Sequence, residues 1–170
     1  MHPSTRRGIN LAAFAVCVAL LAYAYYLQFY QGLEPCPLCI FQRFAVIALG
    51  AVFVLAAIHH PNTLGARIYA VLIGVAAAVG AAVAGRHVWL QQLPPDRVPE
   101  CGPGLEYMLD VFPLTDTLRM VFTGSGECAR VDWSFLGLSM PAWVLVWFVL
   151  LGAVGVWANL RTRLSAPRAG

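Results

Sequence analysis

Charged side chains are scarce in this sequence, and lysine is absent. Only 11% of the 170 residues are charged, whereas 60% are hydrophobic and the mean hydropathy is +0.72. Soluble proteins contain about 25% charged residues. A soluble domain of this length and composition could not bury so much apolar surface. All eleven cations are arginine and they form no basic cluster, so no nucleic-acid partner is expected. The composition indicates an integral membrane protein.

Four apolar windows each approach the length that a membrane crossing needs. They cover residues 9–27, 40–58, 68–90 and 143–160. A helix needs about 20 residues to span a hydrocarbon core of about 30 Å. We therefore predict an all-α fold, a single membrane domain over residues 1–170 built as a bundle of four transmembrane helices. The first window exceeds the apolar core of a signal peptide, about 7–15 residues, so we expect it to remain a crossing.

The distribution of charge predicts how the crossings are oriented. All eight acidic residues fall in the segments 28–39 and 91–141. Six arginines lie in the other three segments, outside the apolar windows: Arg6, Arg7, Arg67, Arg161, Arg163 and Arg168. Because positive charge favours the cytoplasmic side, both termini are predicted to be cytoplasmic. The two acidic segments are then predicted to be outward loops, where a bacterial periplasm or an equivalent oxidising space would allow disulfides.

The longer loop contains two stretches that are expected to lie on the membrane surface. Leu105, Met108, Leu109 and Phe112 follow helical spacing, which predicts a short amphipathic helix. The run 133–141 is expected to have a similar role ahead of the fourth crossing. We therefore predict short surface helices in the periplasmic region.

Small residues recur at every third or fourth position of the third window. Such a face lets helix backbones approach closely in lipid. The third crossing is therefore predicted to be the central packing helix, through residues Gly74, Ala77, Ala78, Gly80, Ala81, Ala84 and Gly85.

A pair of thiols stands at the entrance to the second window. Two residues separate Cys36 from Cys39, and Arg43 follows one helical turn after Cys39. The helix N-terminus presents the positive end of the helix dipole, and Arg43 adds a cation about 6 Å along the axis on the same face. Both features favour the thiolate, the form that attacks disulfides. We predict a redox-active pair, with outward snorkelling of Arg43 as the alternative for that residue.

Other uses of a C-x-x-C motif have little support in this sequence. A zinc module would need a second close ligand pair, but Cys101 and Cys128 are 27 residues apart (128 − 101), so no metal site is predicted. A thioredoxin-type domain would need strands around the motif, and no strand pattern is present there. A disulfide across two residues closes too small a loop to stabilise the fold much. Redox exchange is therefore the favoured use.

The second cysteine pair and a histidine complete the candidate site. Cys101 is followed by Gly102, Pro103 and Gly104, and Cys128 comes shortly after Gly124 and Gly126, so we expect mobile, exposed backbone that can meet the thiol of a partner. The alternative is a structural disulfide worth about 3–4 kcal/mol. His87 ends the third window on the outer side, so Cys39, Arg43 and His87 should lie at similar depth. Donors beside a thiolate at the lipid boundary would suit a quinone. A fifth cysteine, Cys17, is expected only to pack inside the first crossing.

The sequence resembles the DsbB family of bacterial inner-membrane thiol oxidases over nearly its whole length. The run from Trp133 to Trp143 is far more diagnostic than a C-x-x-C motif alone. The resemblance rests on the four crossings, the motif from Cys36 to Cys39 with Arg43 after it, His87, Cys101, and the runs 126–128 and 133–143.

The resemblance implies that all four outward cysteines are catalytic. A reduced, DsbA-like periplasmic thiol oxidase would attack Cys101 and release Cys128. Cys128 could then engage Cys36, which frees Cys39 as a thiolate. Two electrons would pass in this way from the partner to the quinone pool.

The resemblance also implies that Arg43, His87 and Cys39 bind the quinone, either ubiquinone or menaquinone. Gln42 stands where an acidic residue is expected in the family, which leaves the tuning of Arg43 open. Three alternatives remain at this point: a vitamin K epoxide reductase-like protein, a membrane protein whose cysteines bind metal, and a structural bundle with two inert disulfides.

Overall fold

The computed structural model describes residues 3–59, 61–98, 107, 110–123 and 126–161. Within them, four helices are long and apolar enough to cross a membrane, which confirms the predicted all-α, four-helix membrane bundle. Each of the four begins three to six residues earlier than its apolar window. The elements are α1 Pro3–Gln31, α2 Pro37–Ile58, α3 Thr63–Gln91, a 3-10 turn Pro95–Arg97, α4 Leu114–Thr123, α5 Gly126–Ala129, β1 Ser134–Phe135, β2 Leu138–Ser139 and α6 Met140–Leu160.

Capping and proline residues explain the early starts of α2 and α3. Pro37 is the first residue of α2, where its missing N–H leaves no helical hydrogen bond unmade. Cys36 caps this helix, because its Sγ accepts a hydrogen bond from the backbone N–H of Cys39 at 3.4 Å. Asn62 caps α3 in the same way, accepting from the N–H of Gly65 at 2.9 Å. The thiol of Cys39 therefore belongs to the first turn of α2.

Small residues bring α3 and α6 into close contact. A Cβ on Gly80 of α3 would lie 2.2 Å from the ring of Phe148, so only glycine lets that ring pack there. A Cβ on Gly152 of α6 would lie 2.7 Å from the Cβ of Ala77. The main core lies between these helices and α2, and it also contains Cys17 of α1. α3 thus packs against both α2 and α6.

Polar side chains tie the helices together at the end of the bundle that holds the N-terminus. Asn10 and Asn159 are fully buried and exchange two hydrogen bonds between α1 and α6, at 3.4 and 3.1 Å. Arg6 donates to the carbonyl oxygen of Pro61, in the turn between α2 and α3, at 2.6 Å. The start of α1, the α2–α3 turn and the end of α6 therefore meet at one end.

The run 133–141 differs from its prediction. It was expected to lie on the membrane surface as a helix, but β1 and β2 form an antiparallel hairpin in which Ser134 pairs with Ser139. The turn residues Leu136 and Gly137 have φ angles of 52° and 78°, as two-residue hairpin turns require. The surface-helix prediction is wrong for this run, because Gly137 favours the reversal, which leaves fewer than two helical turns on either side of it.

The other predicted surface helix falls mostly outside the described residues. Leu105, Met108 and Leu109 are not described, while Tyr107 and residues 110 and 111 are helical. Helix α4 follows directly and was not predicted. It contributes Val121 to the cluster described next.

A second cluster of buried residues joins the segment between α3 and α6 to the ends of the long helices. Leu38 of α2 and Val83 and Leu90 of α3 pack with Val121 of α4 and Cys128 of α5. Because these residues exclude water together, they hold α5 against α2 and α3. A cysteine of the second pair is thereby brought to the C-x-x-C motif.

Candidate active site

Cys36 lies at the centre of a group of thiols and an imidazole. Its Sγ is 3.2 Å from the Sγ of Cys39 and 3.8 Å from Nε2 of His87. The sulfur atoms of Cys36 and Cys128 and a ring nitrogen of His87 all lie within 4.8 Å of one another. One sulfur therefore has two thiol neighbours, one on its own helix and one on α5.

Cys128 is buried, with 1% of its surface exposed. The prediction of exposed, mobile backbone is wrong for this residue. Gly124 and Gly126, shortly before it in sequence, suggested a mobile, exposed backbone. Leu38 and Val83, which are distant in sequence, instead pack with its side chain. Cys101, for which the same prediction was made, lies outside the described residues.

Two hydrogen bonds from α3 hold the backbone on either side of Cys128. Arg86 donates through Nη2 to the carbonyl oxygen of Thr123 at 3.0 Å. Gln91 donates through Nε2 to the carbonyl oxygen of Arg130 at 3.3 Å. The segment that contains α5 is thus anchored before and after its cysteine. Neither contact follows from a sequence motif, because each joins residues more than 35 positions apart.

Gln42, whose effect the sequence left open, contacts His87. Its Nε2 lies 3.0 Å from Nδ1 of His87, and the two side chains are only 5% and 2% exposed. When the amide donates to Nδ1, the ring proton sits on Nε2, which faces Cys36. Consecutive helical residues point about 100° apart, so Gln42 does not share the direction of Arg43. Its position three residues after Cys39 is the signal that places it on the thiol face.

Arg43 is held against α1. Its guanidinium donates to Oε1 of Gln28 and to the carbonyl oxygen of Ala24, the latter at 3.2 Å. It also lies 4.8 Å from the centroid of the Tyr25 ring, within the range of a cation–π contact. These partners fix the cation in the half of the bundle that holds the thiols, which simple snorkelling to water would not do.

A cavity of about 920 Å³ opens beside the thiols. Cys39, Arg43 and His87, expected at similar depth, all line this one cavity. Its volume lies within the usual range for ligand sites, about 300–1,000 Å³. Apolar side chains of α1, α2 and α6 form much of the remaining wall, including Leu20, Leu21, Leu27, Val46, Val144 and Trp147.

A four-helix membrane bundle that holds a C-x-x-C pair beside a third cysteine has the architecture of a membrane disulfide oxidoreductase. Residues 6–158 match the family described as disulfide bond formation protein DsbB. The chain therefore belongs to the DsbB family, and it is a membrane protein of disulfide bond formation.

Individual relatives agree over nearly their full length. The protein from Methylococcus capsulatus is 60% identical over 159 residues, which cover 92% of this chain and 96% of the relative. The protein from Nitrosococcus oceani is 54% identical over 156 residues, 92% of each chain. The protein from Azoarcus sp. is 49% identical over 155 residues, 91% of this chain and 93% of the relative. Each is named disulfide bond formation protein B.

Proposed function

We propose that this chain is a quinone-linked thiol oxidase of the bacterial inner membrane that reoxidises a DsbA-like dithiol protein in the periplasm. The observation that carries the proposal is the position of Cys36, whose sulfur lies 3.2 Å from that of Cys39 and within 4.8 Å of that of Cys128. A sulfur atom with two thiol neighbours can exchange a disulfide with either. Membership of the DsbB family supports the same assignment.

In the proposed orientation both termini are cytoplasmic and the segments 28–39 and 91–141 are periplasmic. All eight acidic residues lie in the proposed periplasmic segments, and six of the eleven arginines lie in the proposed cytoplasmic ones, which supports this orientation. The contact between Arg6 and Pro61 agrees with two of the proposed cytoplasmic segments lying on one side of the membrane. The whole chain then acts as one membrane domain, with its thiols at the periplasmic end.

The relay begins with a Cys101–Cys128 disulfide and a Cys36–Cys39 disulfide. A thiolate of the reduced partner attacks Cys101, so that a mixed disulfide forms and Cys128 leaves as a thiolate. Cys128 then attacks Cys36. The Cys36–Cys128 bond, the inter-loop disulfide, forms as the Cys36–Cys39 bond breaks, and Cys39 leaves as a thiolate.

The second half of the relay releases the oxidised partner. The partner's other thiol attacks its own sulfur in the mixed disulfide, so the partner departs with a disulfide and Cys101 becomes a thiolate. Cys101 then attacks Cys128, which restores the Cys101–Cys128 bond and frees Cys36. The partner has lost two electrons and two protons, and the Cys36–Cys39 pair has gained the two electrons.

His87 is proposed to act as the hydrogen-bond donor to the sulfur of Cys36. Its Nε2 lies 3.8 Å from Cys36 Sγ, so it can donate a hydrogen bond when Cys36 is a leaving thiolate. Gln42, 3.0 Å from Nδ1, is a positioning residue that keeps the ring in this orientation. The two residues together keep a donor directed at the sulfur that takes part in every internal exchange.

The residues around the cavity fit a quinone, either ubiquinone or menaquinone. Arg43 supplies donors for carbonyl oxygens, and Cys39 supplies the thiol. His87 borders the proposed quinone site with the ring whose Nε2 faces Cys36. Side chains such as Leu20 and Trp147 supply apolar walls. A bound quinone would accept the two electrons with two protons and leave as quinol, and Cys36 and Cys39 would close again to their disulfide. The contacts of Arg43 with α1 keep its positive charge at the cavity wall, which favours an anionic sulfur at Cys39.

Reduction of ubiquinone by a purified, reduced DsbA-like protein tests the proposal. The full-length protein in detergent should consume one ubiquinone for each partner disulfide formed, followed by quinone absorbance and by trapping of partner thiols. Cys39→Ala should abolish quinone reduction. Arg43→Ala should raise the quinone KM more than it lowers kcat, because it removes a donor that binds the quinone.

The matched control is Cys17→Ala, since Cys17 packs in the main core away from the cavity. This variant should retain quinone reduction. Normal turnover by Cys39→Ala would contradict the proposal, and so would a parent protein that oxidises the partner at the same rate without quinone.

A further inference from the structure

We propose that the reduced protein binds one zinc ion between Cys36, His87 and Cys128. These residues come from the N-terminal cap of α2, the end of α3 and the short helix α5. Zinc modules that are recognised from sequence use cysteine pairs that are close along the chain. The structure instead assembles the donors from three separate elements.

The distances suit zinc coordination. The three donor atoms lie within 4.8 Å of one another, and Cys36 Sγ is 3.8 Å from His87 Nε2. Bond lengths of about 2.3 Å to sulfur and about 2.0 Å to nitrogen, at tetrahedral angles, separate the donors by about 3.5–3.8 Å. Small side-chain movements therefore complete the site. Two cysteines and one histidine are a known ligand set for zinc with one open position.

Charge balance favours the ion at this depth. Zinc binding releases one proton from each thiol, and Zn²⁺ with two thiolates and a neutral imidazole carries no net charge. A neutral complex avoids the large cost of an unpaired charge among buried residues. His87 and Cys128 are almost fully buried, at 2% and 1% exposure. Cys36 and His87 also line the cavity, so water can take the fourth position.

Gln42 adds a partner of the kind that orients histidine at metal sites. When Nε2 of His87 binds the ion, Nδ1 carries a proton, and the Gln42 amide 3.0 Å away can turn its oxygen to accept it. A hydrogen bond at the remote nitrogen fixes the ring and strengthens the ligand. Loss of such a partner typically weakens metal affinity about 10- to 100-fold.

The site exists only in the reduced protein. Cys36 and Cys128 must both be thiolates to bind the ion, so any disulfide that uses either sulfur removes a ligand. Zinc binding therefore stabilises the reduced state of the protein and prevents Cys36 from taking part in disulfide exchange. This inference rests on the geometry of the three donors and is independent of the quinone and of the partner.

Metal binding to the full-length protein in detergent, fully reduced and under anaerobic conditions, tests the proposal. Equilibrium dialysis should give one Zn²⁺ per chain, and Co²⁺ used as a probe should give the visible bands of a tetrahedral site with thiolate ligands. His87→Ala and Cys128→Ser should lose this site. Gln42→Met should bind about 10- to 100-fold more weakly, and Cys17→Ser should bind as the parent does.

A measurement on the unsubstituted protein guards against variants that fail to fold. Zn²⁺ should slow alkylation of Cys36 and Cys128 in the reduced parent, as located by mass spectrometry, and the disulfide-oxidised parent should bind no zinc. Equal binding by folded His87→Ala would overturn the proposal, because other thiols would then hold the metal. Absence of stoichiometric binding, or protection of Cys39 and Cys101 instead, would also overturn it.

Discussion

Replacement of Gln42 by methionine should slow disulfide exchange at Cys36 about 5- to 150-fold. Methionine has nearly the same volume as glutamine but cannot hydrogen-bond to Nδ1 of His87. A buried polar atom without a partner costs about 1–3 kcal/mol, and about 1.4 kcal/mol corresponds to a factor of ten in rate. His87 can avoid this cost by rotating towards another partner. The rotation would take Nε2 away from Cys36. Returning Nε2 to Cys36 then costs the same free energy, so the rate of disulfide exchange at Cys36 should fall by the corresponding factor.

The assay follows formation of the inter-loop disulfide after mixing with the reduced partner. Samples are quenched with acid, alkylated and separated without reductant, and the Cys36–Cys128 species is quantified over time. Gln28→Met is the matched control, because it makes the same change at a glutamine that bonds Arg43 instead. That control should raise the quinone KM and leave the exchange rate with the partner unaltered.

Three results would separate a positioning role for Gln42 from a purely structural one. Gln42→Glu keeps the length of the side chain but can only accept a proton on Nδ1, which leaves Nε2 of a neutral ring without its proton, so it should not restore the rate. Nitrogen NMR should show a changed tautomer of His87 in Gln42→Met. Equal exchange rates in Gln42→Met and Gln28→Met, with an unchanged His87 signal, would refute the reasoning.

Three further outcomes can be measured on the same preparations. Gly80→Ala should destabilise the protein by about 1–3 kcal/mol through overlap with Phe148, read as a lower Tm in detergent, whereas Gly85→Ala, which meets nothing within 4 Å, should not lower Tm. Arg86→Met should slow formation of the inter-loop disulfide about fivefold, because one hydrogen bond of about 1 kcal/mol that anchors the α5 segment is lost. Asn159→Ala should lower stability by about 1 kcal/mol without changing quinone KM.

Local features of the site could be predicted from the sequence. The number of crossings follows from hydropathy, and the place of Cys39 in the first turn of α2 follows from Pro37 and the apolar run after it. Both depend on residues within one turn or one window. Arg43 and His87 were also expected at similar depth, because two antiparallel crossings bring their ends to the same level, and both line the cavity.

Features that depend on how helices rotate about their axes could not be predicted. The contact between Gln42 and His87 joins residues 45 positions apart, and hydropathy does not say which side of α2 faces α3. The burial of Cys128 depends likewise on Leu38 and Val83, which no local pattern links to it. The glycines near Cys128 indicate which backbone conformations are possible there. They carry no information on which side chains cover the cysteine.

The anchoring of the α5 segment at Thr123 and Arg130 has a kinetic consequence. A cysteine on a free loop meets its target at an effective concentration of about millimolar, whereas well-oriented groups in contact can reach about 10⁵ M or more. The two hydrogen bonds from α3 move Cys128 towards the second regime. In that regime a mutation that weakens the anchoring of the α5 segment lowers the effective molarity of Cys128 towards Cys36. Such a mutation slows the enzyme even when no thiol has been altered.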